Sequence, residues 1–249
     1  MVLSALACSC AWALSGNVQT PPPNPVAHRS ILVFTKSAGF RHDSIPVGRN
    51  AILDLGIQRG WTVAFSEDGN IIDANRLKPF DAVVFLSTTG KFLDAKQEKG
   101  LVSFIHHGGG FVGIHAAADA EYDWAWYGQL VGAYFLSHPA QQDAVVKIED
   151  TTDPSTQDLP NPWKRWDEWY DYKVSPRDKV HVLASLEPTS YTGSKMPGDH
   201  PIMWKHEFEG GRSWYTGMGH TKESYQDPRY LKMLAEGIEW ACGKSKRKA

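Results

Sequence analysis

The stretch GGGFVGIHAA, residues 108–117, decides the fold. Its glycines favour a tight turn, and residues 111–114 form a short apolar run, typical of a strand buried on both faces of a parallel sheet. The run ends at His115, which small residues follow. This layout is typical of a nucleophile elbow, a strained strand-to-helix turn that projects one side chain into a crevice. We therefore expect His115 at the carboxyl end of a central strand in an α/β fold.

Strands and helices alternate through the amino-terminal half of the chain. The predicted elements are strands at 30–35, 61–65 and 80–86 and helices at 44–60 and 94–107. Such alternation implies right-handed βαβ units and a doubly wound, mostly parallel sheet. Ligands of these sheets bind at the carboxyl ends of the strands. The loops after Thr35, Leu86 and Ile114 are therefore expected to surround one crevice.

The carboxyl-terminal half is less regular. Its predicted elements are strands at 144–148 and 180–184, an added β-hairpin from 203 to 215 that turns at Gly210 and Gly211, and a helix at 228–241. Turn-forming glycines and the length of the final apolar pattern support these assignments. With 249 residues and 42% hydrophobic content, the chain can form one sizeable core. We predict a single domain over residues 28–243.

Both ends of the chain are predicted to lie outside this domain. Residues 1–27 combine an apolar stretch rich in small residues with a Pro-rich linker, as in a secretory signal peptide. No Lys or Arg precedes the apolar run, and Cys8 and Cys10 would instead suit a lipoprotein signal. We expect a secreted or periplasmic protein in either case. Residues 244–249 form a basic tail that is expected to be solvated and to have no function.

Composition excludes several classes of partner. A formal net charge of −2 gives no field that would attract nucleic acid or a membrane surface. No segment after the signal-like start reaches the ~20 apolar residues of a membrane span. Ten Trp are many for this length, so the rings form either a ligand surface or a large aromatic core. The sequence leaves the oligomeric state open.

Four histidines are candidates for chemistry because they lie in predicted loops or at strand ends, where core packing does not require them. They are His42, His115, His138 and His220. A thiolate mechanism is excluded at the elbow because residue 115 is His rather than Cys. An imidazole there could act as a base, orient a hydroxyl group or bind a metal; the alternative is a core His bonded to a backbone carbonyl. His106 and His107 instead end a predicted helix, where they suit its negative terminus.

Residues 167–172, DEWYDY, alternate carboxylates with aromatic rings. On extended backbone, alternate side chains share a face, so a carboxylate and a ring could contact a sugar. We expect Glu168 to be an acid, base or metal ligand, Trp169 and Tyr170 to bind substrate, and Asp167 to be solvated. Two or three His with one carboxylate would also suit a divalent metal, but no ligand motif such as HExxH is present. The cofactor is therefore left open.

Six motifs resemble, in the same order, those of ThuA-like (trehalose-utilisation) domains. They are FRHDSI at 40–45, GGGFVGIHAA at 108–117, SHP at 137–139, DEWY at 167–170, HP at 200–201 and GMGH at 217–220. The resemblance covers roughly residues 30–242. It implies a class I glutamine-amidotransferase-like (flavodoxin-like) fold and a link to disaccharide or glycoside catabolism, in some members through 3-keto-sugars.

The leading hypothesis is an enzyme of carbohydrate catabolism that cleaves or isomerises a glycoside or keto-sugar. The catalytic candidates are His115, His220 and Glu168, and the substrate-binding candidates are Arg41, His42, His138, Trp169 and Tyr170. His220 is expected to face His115. The Glu after it is three residues on rather than two, so an amidotransferase triad is not expected. The alternatives are a non-catalytic carbohydrate-binding module and a metal-dependent amide or ester hydrolase.

Overall fold

The computed structural model describes residues 28–196 and 198–243. The predicted signal-like segment with its Pro-rich linker, residues 1–27, and the predicted basic tail, residues 244–249, lie outside the described residues. Within the described part of the chain, no helix has the length and hydropathy needed to cross a membrane.

Over the described ranges the chain forms eleven strands and four α-helices. The strands are β1 (Ser30–Phe34), β2 (Thr62–Ser66), β3 (Ala82–Leu86), β4 (Gly110–Ile114), β5 (Phe135–Ser137), β6 (Gln142–Ile148), β7 (Trp163–Asp167), β8 (Asp171–Tyr172), β9 (His181–Leu186), β10 (Pro201–Phe208) and β11 (Gly211–Thr216). The helices are α1 (Ile45–Arg59), α2 (Ala95–His106), α3 (Ala125–Val131) and α4 (Pro228–Cys242).

Nine of these strands form one sheet in the order β2-β1-β3-β4-β11-β10-β9-β6-β7. The first five are parallel to one another, and the last four extend the sheet with antiparallel pairs. The order β2-β1-β3-β4 is that of flavodoxin-like folds. Every residue of β1, β3 and β4 is buried, as their apolar sequences require. The predicted doubly wound α/β fold is confirmed.

The predicted hairpin is present but is not an addition to the sheet. Its second strand, β11, lies between β4 and β10, and Trp214 pairs in register with Val112 of β4. Trp214 and Tyr215 are fully buried. Their large apolar side chains are covered on both faces of the sheet, which explains why this strand occupies a central position.

Local signals explain where the first two helices begin and end. Asp94 caps α2 in a capping box with Gln97, and Gly60 ends α1 in the left-handed region with φ 70°. The sequence patterns did not predict α3, β7 or the small antiparallel sheet of β5 and β8. These elements are short, and weak periodicity over a few residues does not distinguish them from loops.

Candidate functional site

His115 stands at the end of β4 on a strained turn. Its φ is 51°, an uncommon value for a residue other than glycine. A short 3-10 turn of small residues, His115–Ala118, follows the strand, as the elbow layout predicts. The Tyr215 hydroxyl donates a hydrogen bond of 2.8 Å to the His115 carbonyl oxygen. The strained backbone is therefore held by a buried partner from β11.

The His115 ring is completely buried, and its orientation is fixed. Its Nδ1 lies 2.9 Å from the carbonyl oxygen of Gly217. A carbonyl oxygen only accepts, so Nδ1 carries a proton, and Nε2 presents a lone pair in the neutral ring and an N–H in the charged ring. The ring of Tyr170 packs against the imidazole at 4.2 Å between centroids. Nε2 is therefore the nitrogen that faces the neighbouring polar side chains.

Glu168 and His220 meet this nitrogen. The Oε2 of Glu168 lies 3.4 Å from His115 Nε2 and 3.1 Å from His220 Nδ1. The two histidines are 3.1 Å apart between His115 Nε2 and His220 Nδ1. The other carboxylate oxygen of Glu168, Oε1, lies 3.3 Å from Nδ1 of His138. The structure thus brings together the three predicted catalytic residues, and His220 faces His115.

His42 completes the cluster from the loop between β1 and α1. Its ring is buried and stands edge-on to the rings of His115 and His220, at 4.8 Å and 5.1 Å between centroids. Its Nδ1 is buried and has no hydrogen-bond partner. One ligand atom from each of His42, His115, Glu168 and His220 can be chosen so that all lie within 4.8 Å of one another. We call these four residues the histidine–glutamate cluster.

Asp167 is not solvated, which corrects the expectation from the sequence. Its carboxylate is completely buried and accepts hydrogen bonds from the backbone N–H groups of Gly219, at 2.9 Å, and His220, at 3.0 Å. It also pairs with the buried guanidinium of Arg165 at 3.1 Å and accepts from the Ser224 hydroxyl. A buried charge must be paired, and this one fixes the turn that carries His220.

A pocket of about 330 Å³ opens onto the cluster. Its lining residues are Phe40, His42, Asp119, Phe135, His138, Gln141, Glu168, Tyr170 and His220. Three aromatic rings and several polar groups around a concave space are typical of a site for a small ligand. The loops after β1 and β4 both reach it. The predicted crevice at the carboxyl ends of the parallel strands is present, but the loop after Leu86, which was expected to border it, contributes no lining residue.

Two predicted substrate-binding residues lie away from this pocket. Glu168 and Tyr170 line it together, whereas the intervening Trp169 is fully buried and donates to the Gln142 carbonyl at 2.8 Å. Alternate side chains of an extended segment point to opposite faces, so Trp169 packs in the core. Arg41 points to solvent, where it pairs with Glu67 at 2.7 Å. Neither residue is placed to contact a ligand in the pocket.

A larger cavity, about 480 Å³, lies elsewhere on the molecule. It includes Tyr134, Lys173 and His206 in its wall but no residue of the histidine–glutamate cluster. A large volume does not by itself make a cavity an active site, which also needs chemical groups that converge on one place. The smaller pocket is therefore the better candidate for an active site, because it holds the buried titratable residues.

Comparison with known families decides the identification. The family model for ThuA, described as trehalose utilisation, matches residues 30–241. The chain belongs to the ThuA family. Membership links it to a carbohydrate-related role and agrees with the motifs that form the site. None of the curated proteins compared matches the chain.

Solved structures show the same fold. A ThuA-like protein from Bacteroides uniformis ATCC 8492 shares 24% identity over 93% of this chain and 97% of its own, with a TM-score of 0.76. One from Parabacteroides merdae ATCC 43184 shares 19% identity over 89% and 93%, with a TM-score of 0.72. A β-galactosidase from Bacillus circulans sp. alkalophilus matches at 12% identity and TM-score 0.52, over 85% of this chain and 30% of its own.

The pKa values of the titratable residues in the ThuA site are shifted in different directions. Burial, followed by the charges of His115 and His220, lowers the pKa of His42 to about 3. Burial raises the pKa of Glu168, but hydrogen bonds from His115 and His220 outweigh it, and the pKa lies well below its usual range. Burial lowers the pKa of His220, and its hydrogen bond to Glu168 more than offsets this, so the pKa is raised. The site therefore holds an ionised carboxylate beside a neutral His42 at neutral pH.

Asp119 is a site residue that the sequence interpretation missed. It follows the 3-10 turn after His115, lines the pocket and accepts a hydrogen bond of 2.6 Å from the Tyr122 hydroxyl. Burial raises the pKa of Asp119, which the Tyr122 hydrogen bond opposes. A carboxylate four residues beyond the elbow His, in a loop at a strand's carboxyl end, was the available signal.

Proposed function

We propose that this ThuA protein is an enzyme of carbohydrate catabolism that acts on glycosides or keto-sugars. The reaction centre is formed by His115, His220 and Glu168, with the buried His42 edge-on to both histidine rings and His138 half exposed on the pocket wall. The observation that carries the proposal is the convergence of these groups at 3.1–3.4 Å where an aromatic-walled pocket ends. Buried groups that share a proton in this way, at the end of a ligand-sized space, are the arrangement that proton transfer requires.

The walls of the pocket suit a sugar. Phe135 and Tyr170 contact each other with ring centroids 4.2 Å apart, and Phe40 is exposed at the rim. Flat rings pack against the apolar faces of sugars, and Gln141 and His138 offer polar groups to hydroxyls. A volume of about 330 Å³ is near the lower limit for ligand pockets, which favours a substrate of one or two sugar rings.

The groups present match a reaction that starts at a carbon next to a carbonyl. In a keto-sugar, Glu168 and its partner histidines take the proton from that carbon, and the electron pair moves onto the carbonyl oxygen. When the substrate is a keto-glycoside, the electron pair returns to form a carbon–carbon double bond as the bond to the glycosidic oxygen breaks, and Asp119, on the same pocket wall, gives a proton to the departing oxygen. Two carboxylates in different environments, one ionised and one more easily protonated, are the usual basis for separate base and acid roles.

The experiment compares Glu168→Gln with Glu223→Gln, which changes an exposed glutamate of the neighbouring loop. The full chain is incubated in D₂O with trehalose, other disaccharides and their 3-keto forms, and products and deuterium uptake are followed by NMR. We expect turnover of at least one sugar, lowered about 10²- to 10⁴-fold by Glu168→Gln and unchanged in the control. Saturable sugar binding without any product or deuterium uptake would instead identify a carbohydrate-binding module.

A further inference from the structure

We infer that the histidine–glutamate cluster binds one divalent transition-metal ion. Only the effect of this ion on a sugar substrate rests on the proposed function. Whether the ion binds follows from the arrangement of His42, His115, Glu168 and His220 alone.

The spacing of the ligand atoms fits one ion. Atoms bound tetrahedrally at about 2.0–2.1 Å from a metal are roughly 3.4 Å apart. In the cluster, His115 Nε2, His220 Nδ1 and Glu168 Oε2 are separated by 3.1, 3.1 and 3.4 Å. The fourth ligand atom, from His42, lies within 4.8 Å of the other three. Small side-chain movements would place all four around one ion.

The histidine–glutamate cluster contains more hydrogen-bond acceptor atoms than protons that could satisfy them. In the neutral ring of His115, Nε2 presents a lone pair because Nδ1 donates to Gly217, and the Glu168 carboxylate only accepts. Nδ1 of His42 is buried without any hydrogen-bond partner. Burying a polar atom with no partner is destabilising. A cation in the centre would satisfy the lone pairs of His115 and Glu168 together with that of the His42 nitrogen nearest to them, whereas a single proton on His220 Nδ1 cannot.

In two of the histidines, the ring nitrogen that would not bind the metal already has a hydrogen-bond partner. Metal-binding His residues usually donate their other N–H to a backbone carbonyl, carboxylate or polar group, which orients the ring. Nδ1 of His115 donates to the Gly217 carbonyl, whereas Nε2 of His220 accepts from the side-chain amide nitrogen of Gln141 at 2.8 Å; a half-turn of that amide would let His220 donate to its oxygen instead. The backbone N–H of His220 is fixed in turn by Asp167 at 3.0 Å. These outer contacts hold both rings in place.

The donor types select the class of metal. Three imidazole nitrogens and one carboxylate oxygen suit zinc, iron, nickel, cobalt or manganese rather than magnesium or calcium, which prefer oxygen ligands. Only one of the two Glu168 oxygens is needed as a ligand, since Oε1 points to His138 instead. With His115, His220 and Glu168 occupied as ligands, a bound ion would polarise a sugar carbonyl or hydroxyl, and His138 beside Glu168 would take over from them the role of base.

The test measures Zn²⁺ binding directly. Full-length protein is stripped with a chelator, titrated with ZnCl₂ by calorimetry, and analysed for metal content after dialysis. The variants are His42→Leu, of similar side-chain size, and Glu168→Gln, with His181→Ala as the control because His181 is an exposed histidine beside Asp150. We expect one tight site in wild type and in the control, and an affinity at least about 100-fold weaker in both cluster variants.

Thermal unfolding shows whether a variant has simply failed to fold. His42→Leu removes a buried nitrogen without a partner, so the metal-free variant should be at least as stable as metal-free wild type. Zn²⁺ should raise the unfolding temperature of wild type and of His181→Ala but not of His42→Leu. Equal Zn²⁺ affinity in wild type and His42→Leu, or loss of binding in His181→Ala alone, would overturn the inference.

The two proposals fail in different ways. Undiminished sugar turnover by metal-free protein that takes up no Zn²⁺ would overturn the metal site and leave the enzyme assignment. Tight binding of one Zn²⁺ that is lost in both cluster variants, without turnover of any sugar, would support the metal site and overturn the enzyme assignment.

Discussion

The two halves of the sheet contribute to the site by different means. In the parallel half, His42 and His115 follow β1 and β4, whose residues are completely buried, and the strand ends alone bring them to one edge. In the antiparallel half, Glu168 follows β7, whereas its partner His220 follows β11, the last parallel strand, which lies four places from β7 in the sheet. Those two are joined by the buried carboxylate of Asp167. The parallel half is a scaffold, and the second half depends on a few polar contacts.

Asp167→Asn should have the largest effect, because it breaks the contact on which the second half depends. The substitution leaves the Arg165 guanidinium buried without its charge partner and weakens the turn at His220. Breaking a buried ion pair costs about 3–5 kcal/mol of unfolding free energy. Urea denaturation measures this loss, and turnover should fall with it because His220 is displaced.

The matched control for that prediction is Asp143→Asn. Asp143 lies on the neighbouring strand β6, and its side chain is half exposed and 3.6 Å from Lys164. Its loss should change the unfolding free energy by less than about 0.5 kcal/mol. If both variants were equally stable, Asp167 would not be what holds the second half to the first.

Asp119→Asn tests whether the parallel half provides a general acid in addition to a scaffold. Burial raises the pKa of Asp119 above its usual value. A general acid acts in its protonated form, so the rate supported by Asp119 should fall as pH rises through that raised pKa. The variant should lose this limb of the pH–rate profile and turn over about 10²-fold more slowly. Exposed Asp123 provides the control, Asp123→Asn, and an identical profile in Asp119→Asn would leave the parallel half as scaffold only.

Ile31→Val should have the smallest effect and should touch stability alone. Ile31 is fully buried in β1, and removing one methylene group from a core costs about 0.5–1.5 kcal/mol. Turnover and Zn²⁺ affinity should be unchanged, because the backbone of β1 stays paired with β2 and β3. A drop in either quantity would show that core packing and the site are coupled more closely than the geometry indicates.

Much of the parallel half could be predicted from sequence because its signals are local. The apolar runs of β1, β3 and β4, the Gly60 terminus of α1 and the helix boundary at Asp94 each act within a few residues. The position of His115 followed from the same patterns. Asp119 was missed, because a single carboxylate in a loop resembles any solvated residue until the pocket around it is known.

In the second half, periodicity indicated which residues could share a face but not which face was buried. The alternation of residues 167–172 correctly predicted a shared face for Glu168 and Tyr170. It could not show that Asp167 is buried or that Trp169 belongs to the core. That distinction depends on partners more than 20 residues away along the chain, such as the Gln142 carbonyl and the backbone of Gly219.

The sequence by itself determined the α/β fold, the elbow with His in place of Cys, and the family motifs that contain the candidate catalytic residues. Only the tertiary structure decided that they meet. In a flat sheet, strands four places apart would be roughly 19 Å from each other, yet Asp167 at the end of β7 bonds the turn after β11. The sheet must therefore curl to close the histidine–glutamate cluster. Curvature of that kind arises from twist and packing summed over the whole sheet, which no local pattern encodes.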